Sequence, residues 1–168
     1  MKLFVILLIF PYFVNAQTGI SISTGKVTGK LATSASRVAI VSHYKSKWLS
    51  DMNSKLSWQL ELSYGRWNNQ YFEDIKATTL TPSLKYNWRI KNQELYVTFG
   101  IGAAYLTETR FSSRRFGSNW LFEDKLSLGW QITAQQSVSL SVNHYSNANL
   151  ASVNDGSTFI FLDYSYYW

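Results

Sequence analysis

Cysteine is absent from the 168 residues, which removes both a disulfide frame and a thiolate metal site. Proline is almost absent: Pro11 lies in an apolar leader and Pro82 is the only other one, so little interrupts an extended chain. Charge is scarce as well. Asp, Glu, Lys and Arg make up 15% of the sequence, against ~25% in soluble domains. Beyond the leader no apolar run approaches the ~20 residues that a membrane-spanning helix needs. No Walker loop, zinc-ligand cluster or nucleotide fingerprint occurs, and neither a metal nor an organic cofactor is implied.

What is present is aromatic and alternating. Seven Trp, eleven Tyr and ten Phe, set among many Ser and Asn, suit a membrane β-barrel whose wet face is its interior. Residues 1–16 read as an export signal: Lys2, the run "LFVILLIF", then Val14-Asn15-Ala16 before a cut at Gln17. Residues 17–168 then make one domain. The net charge of +6 suits an anionic surface such as phosphorylated lipid. Export argues against nucleic acid.

Eight strands are expected, near 18–30, 36–48, 55–67, 77–90, 94–108, 118–133, 137–147 and 157–168. "KLSWQLELSYGRW" sets Leu56, Trp58, Leu60, Leu62 and Tyr64 against Ser57, Gln59, Glu61 and Ser63, one dry face and one wet. The connections alternate too. "SDMNS", "KNQ" and "AQQ" are short, whereas "NNQYFEDIK", "TETRFSSRRFG" and 148–156 are longer. Outer-membrane barrels pair short periplasmic turns with longer outward loops, and Trp168 would sit in the lower aromatic belt. The expected fold is therefore all-β: an eight-stranded antiparallel transmembrane β-barrel in the bacterial outer membrane. A soluble lipocalin-type barrel shares the strand count and is separated by detergent dependence.

The seventh strand, "VSLSVNHYS", places Val138, Leu140 and Val142 on one face and continues that face with His144 and Ser146. Hydrocarbon penalises unsatisfied polar groups, so this pair is a poor choice for stability. A neutral imidazole can activate a serine hydroxyl. Residues i and i+2 share a face with Cα atoms about 7 Å apart, so both can reach one ester. On the outside wall that ester belongs to a lipid. The bland alternative is that His144 and Ser146 mark the edge of the dry band, since H-x-S alone is a weak motif.

The stretch "GSNWLFEDKLSLG", then "QSVSLSVNHYSNA" and "NDG", resembles the lipid A 3-O-deacylases of the outer membrane (PagL type). The resemblance is strong from Gly117 to the C-terminus and rests on pattern before that. It implies an eight-stranded barrel with its active site on the outer wall, Ser146 as nucleophile and His144 as general base. The implied reaction releases the ester-linked 3-hydroxyacyl chain at position 3 of lipid A. The partner is thus the lipid A or lipopolysaccharide of the outer leaflet, met by a membrane-embedded monomer or homodimer. Oxyanion donors are expected from Asn147 to Asn149. Asn147 matches the family, whereas Asn149 stands where the better-known members carry Gly.

One position departs more seriously. The family's Glu, fourteen residues after the His, is Thr158 here. Three readings stay open: Thr158 orients His144 through its hydroxyl, Asp124 reaches across from the sixth strand, or the chain is a weak or inactive relative. For Asp124 the alternative is a polar residue at the membrane rim. Arg110, Arg114 and Arg115 lie in one long outward loop, where guanidinium forks suit lipid phosphates or simply solvate the loop. His43 is read as structural. Two rivals remain: a non-enzymatic adhesion or structural barrel, and a phospholipase or acyltransferase using the same pair.

Overall fold

Alternation of apolar and polar side chains over eleven to sixteen residues produces strands that close on themselves. The computed structural model describes residues 14–29, 33–69 and 72–168. The export signal expected at 1–16 falls mostly outside them. The barrel strands are β1 (Val14–Val27), β2 (Ser34–Lys45), β3 (Leu56–Trp67), β4 (Ile75–Ile90) and β5 (Gln93–Leu106). A small ribbon, β6 (Arg110–Phe111) and β7 (Arg114–Arg115), sits in the loop that follows. The remaining staves are β8 (Trp120–Gln131), β9 (Gln136–Ser146) and β10 (Ser157–Tyr167). Every stave pairs antiparallel with its neighbour, and β1 closes against β10.

The faces are inverted relative to a soluble protein. Ile22, Ile40, Leu62, Leu80, Phe99, Leu128 and Leu162 are exposed, while Arg37, Glu61, Lys85, Glu123, Lys125 and Asp163 are buried in the lumen. That arrangement suits lipid outside and excludes a lipocalin-type soluble barrel. Aromatic side chains exposed at the two rims, Tyr105 and Trp120 above, Tyr166 and Trp168 below, form interfacial belts.

The middle and outer parts of the lumen are filled rather than open. Arg37 pairs with Glu61 and Glu123 at 3.2 Å and with Asp163 at 3.5 Å, and Lys125 reaches Glu61 at 2.6 Å. The Tyr145 hydroxyl donates to Glu123 at 2.6 Å, as does the Asn143 amide at 2.7 Å. Above this network Trp67, Phe111, Phe116, Tyr145 and Phe159 pack together, with Trp67 4.6 Å from the Phe159 ring. The plug closes the outer end.

The loops depart from expectation in two places, the β6–β7 ribbon and the first periplasmic connection. The first periplasmic connection is not a bare turn: α1 (Lys47–Met52) forms there, capped by the Ser46 side chain, which accepts from the Leu49 N–H at 3.2 Å. The cap ends β2 at Lys45 instead of near residue 48. On the outer side the loops are tied to one another. Asp74 accepts from the Asn69 N–H and from Arg66 Nε, which holds its carboxyl below the usual carboxylate range. Asn69 Oδ1 accepts in turn from the Ser112 N–H at 3.1 Å.

Candidate active site on the outer wall

Strand parity places the site. In β9 the lumen-facing residues Ser141, Asn143 and Tyr145 are buried, and Leu140 and Val142 are exposed on the opposite face. His144 and Ser146 share the parity of Leu140 and Val142 and are half-buried. They lie on the outer wall, near the end of a strand that runs outward.

Cross-strand register sets their neighbours. His144 lies opposite Thr158 of β10 and opposite Asp124 of β8, while Ser146 faces Phe122. The next row towards the membrane centre is wholly apolar: Leu126, Val142 and Ile160. The polar row therefore borders hydrocarbon.

His144 Nδ1 and Thr158 Oγ1 lie 2.8 Å apart. With Nδ1–H donating to the threonine oxygen, the Nε2 lone pair is left free to act as a base. Asp124 is in register with His144, yet no hydrogen bond joins the two among the described residues. Nor does the Ser146 hydroxyl bond to His144 there. Catalytic hydrogen bonds are often open until substrate is bound.

The segment after Ser146 turns sharply. Ala148 and Asn149 have φ of 51° and 61°, and the Leu150 N–H closes the turn onto the Asn147 carbonyl at 3.0 Å. Two positive φ values in succession are the signature of a type I′ turn. Asn149 thus adopts the left-handed conformation that the family's glycine would allow, consistent with the tolerance of Asn for that region.

Asn147 does not face the substrate side. Its side chain is buried, and Nδ2 donates to the Phe116 carbonyl at 2.6 Å and to the Val153 carbonyl at 2.8 Å. Its N–H donates to Asn154 Oδ1 at 2.9 Å. All its donors are spent on holding the loop. The N–H groups of Ala148 and Asn149 meet no acceptor among the described residues, so the open donors beside Ser146 are main-chain ones.

The three arginines do not converge. Arg110 and Arg115 are cross-strand partners in the ribbon and both are exposed, with the Arg110 guanidinium 5.3 Å from the Phe72 ring centroid. Arg114 turns the other way. It donates to the Gly156 carbonyl at 2.7 Å and to the Thr28 carbonyl at 3.5 Å, clipping the ribbon to the end of the 147–156 loop. Asp155 adds to the clip by accepting from the Arg115 N–H at 2.6 Å.

Asn154 and Gly156, whose part in the site no local sequence pattern shows, close the loop behind His144. Gly156 has φ of 60°, and a Cβ there would lie 3.0 Å from His144 Cε1. It packs against the imidazole as a side chain could not. The Asn-Asp-Gly run was a legible turn signal, but nothing local tied it to His144. His43 is inside the barrel, its ring 4.8 Å from that of Tyr167. No metal-binding cluster occurs among the described residues.

A family model described as lipid A 3-O-deacylase (PagL) matches residues 37–167. The lipid A deacylase PagL of Bordetella bronchiseptica is 34% identical over 74 residues, which span 44% of this chain and 42% of that protein. Its Pseudomonas aeruginosa counterpart is 26% identical over 121 residues, 71% of this chain and 70% of that protein. Among solved structures, the outer membrane enzyme PagL aligns with a TM-score of 0.77 at 24% identity, covering 88% of this chain and 98% of that one. Neisserial surface protein A aligns at 0.58 and 12% identity, covering 90% and 96%.

Proposed function

The chain belongs to the lipid A 3-O-deacylase (PagL) family of the outer membrane, and from that membership we propose a serine esterase that removes the 3-O-linked 3-hydroxyacyl chain of lipid A. Ser146 is its nucleophile, His144 its base and Thr158 the group that orients the base. One observation carries this reading above the others: His144, held by Thr158 at 2.8 Å, shares the lipid-facing wall with Ser146. A hydrolase so placed has only membrane lipid within reach.

The chemistry follows from the groups present. The Ser146 proton passes to His144 Nε2 as Oγ attacks the ester carbonyl. The tetrahedral oxyanion is met by the main-chain N–H groups of Ala148 and Asn149. Collapse breaks the bond to the sugar 3-oxygen, which leaves with the proton held by His144. Water, deprotonated by Nε2, then attacks the acyl-enzyme and frees a 3-hydroxy fatty acid and Ser146. The row Leu126–Val142–Ile160 offers the departing acyl chain an apolar track. Exposed Arg110 and Arg115 face the leaflet surface, where lipid A carries its phosphates. The functional domain is 17–168, after removal of the export signal.

Mass spectrometry of lipid A from cells making the wild-type protein or Ser146→Ala tests the proposal. The expected result is loss of one 3-hydroxyacyl group with the wild type only. An unchanged lipid A profile, with the folded barrel present in the outer membrane, would overturn it, as would loss of the same group with Ser146→Ala.

A further inference from the structure

The two ends of the lumen differ. The aromatic plug seals the outer end, while at the end that holds the short turns and the C-terminus the lumen opens into a cavity of about 440 Å³. Short turns mark this as the periplasmic mouth. Its volume falls in the range of small-molecule sites.

The charge of the cavity is one-sided. Lys45, Lys55, Lys85 and Arg89 line it, against Glu94 alone. Glu94 is 3.9 Å from Arg89, and the three lysines enter no ion pair among the described residues. Lys55 and Arg89 are rim groups. Lys85 is different, because it is only 4% exposed.

A buried ammonium without an anion is costly. Lys85 Nζ lies 4.0 Å from the Tyr96 ring centroid, a contact that offsets part of that cost but supplies no counter-charge. The carboxylates deeper in the lumen are already engaged: Glu61, Glu123 and Asp163 surround Arg37, and Glu61 also holds Lys125. His43 lies on the same cavity wall, with its Nε2 buried and Gln59 beside the imidazole. The deep wall of the cavity thus carries a cation that forms no ion pair among the described residues, and the one opposite charge that acts on it, Glu94, is shared with Arg89.

We propose that the periplasmic mouth binds a small anion of the phosphate-ester class, with Lys85 as its deep contact and Lys55 as a rim contact. Lysine ammoniums act as point charges for phosphate oxygens, and the cavity is large enough to admit the organic part of a small ester beside them. The site lies at the opposite end of the barrel from Ser146 and is independent of the deacylation reading. Its ligand is either a soluble phosphorylated solute or the phosphate headgroup of an inner-leaflet lipid.

Calorimetry on the refolded barrel in maltoside detergent, with glucose 6-phosphate as probe and glucose as control, tests the assignment. Saturable binding of the phosphorylated sugar alone is expected, weakened at least about 30-fold by Lys85→Met and about 3-fold by Lys55→Gln. Ser146→Ala should bind as wild type. Adding lysophosphatidylglycerol separates the two sources: competition at the Lys85-dependent site identifies the headgroup as a ligand, and undisturbed binding identifies the soluble ester. Equal binding of glucose and glucose 6-phosphate would overturn the proposal. So would unchanged affinity in both lysine variants, or loss of binding in Arg110→Gln/Arg115→Gln alone.

Discussion

Thr158 decides how strong a base His144 can be. Its hydroxyl can accept Nδ1–H and fix the tautomer, as a carboxylate would, but it brings no negative charge for the imidazolium that forms during the reaction. In a Ser-His-Asp protease, losing the carboxylate with the wrong tautomer costs ~10⁴ in turnover. Keeping the tautomer and losing only the charge costs less. Thr158→Glu is therefore expected to raise kcat about 10-fold or more, and Thr158→Val to lower it about 10-fold, each read by release of 3-hydroxy fatty acid from purified lipid A. Asp124 is in register with His144 but unbonded to it. Asp124→Asn should thus change kcat by less than about threefold. A fall comparable to that of Ser146→Ala would make Asp124 the missing acid. An unchanged rate with Thr158→Val would remove the orienting role given to Thr158.

The 147–156 loop has no regular structure of its own, so its shape is imposed by neighbours. Asn147 ties it inward to Phe116 and Val153, and Arg114 ties its last residue to the ribbon. A hydrogen bond to a charged group contributes ~1.5–3 kcal/mol. Arg114→Gln should accordingly loosen the loop without unfolding the barrel, seen as faster proteolytic nicking within 147–156 and a kcat several-fold lower. Gly156→Ala should act more directly, by pressing a methyl group towards His144 Cε1 and straining a positive φ. These ties explain what the sequence could and could not convey. Two-residue alternation announced every barrel stave, and the parity of Val138, Leu140 and Val142 put His144 and Ser146 on the lipid side, because both signals are local. The inward turn of Asn147 and the clip made by Arg114 depend on residues about thirty to forty positions away, which no local pattern encodes. The short helix α1 was missed for a nearer reason: Ser46 is a fair N-cap, but its signal was hidden by the strand-like run of Val38 to Trp48.

At the scale of the whole molecule, the barrel supports a site on its outside only if its inside stays rigid. Water-facing strands of a porin enclose a channel, but here the lumen holds an ion network beneath an aromatic plug. Arg37 is its hub, touching Glu61, Glu123 and Asp163 with a side chain only 4% exposed. Removing one partner of a buried ion cluster strands the others and costs about 3–5 kcal/mol. Arg37→Met leaves three carboxylates facing Lys125 as their one remaining ion-pair partner in the network, so a lower unfolding midpoint in urea is expected. The loss should be partly repaired in Arg37→Met/Glu123→Gln, which deletes one stranded charge while leaving an amide for the Tyr145 hydroxyl and Thr81 to bond. Glu123 and Tyr145 are the sequence neighbours of Asp124, His144 and Ser146, facing the other way on β8 and β9. The single variant should therefore also lower deacylation under conditions where the barrel is still folded. If Arg37→Met unfolds at the wild-type urea concentration, the lumen network contributes nothing net to stability, and the rigidity of the outer wall must come from the strand ladder and the aromatic plug alone.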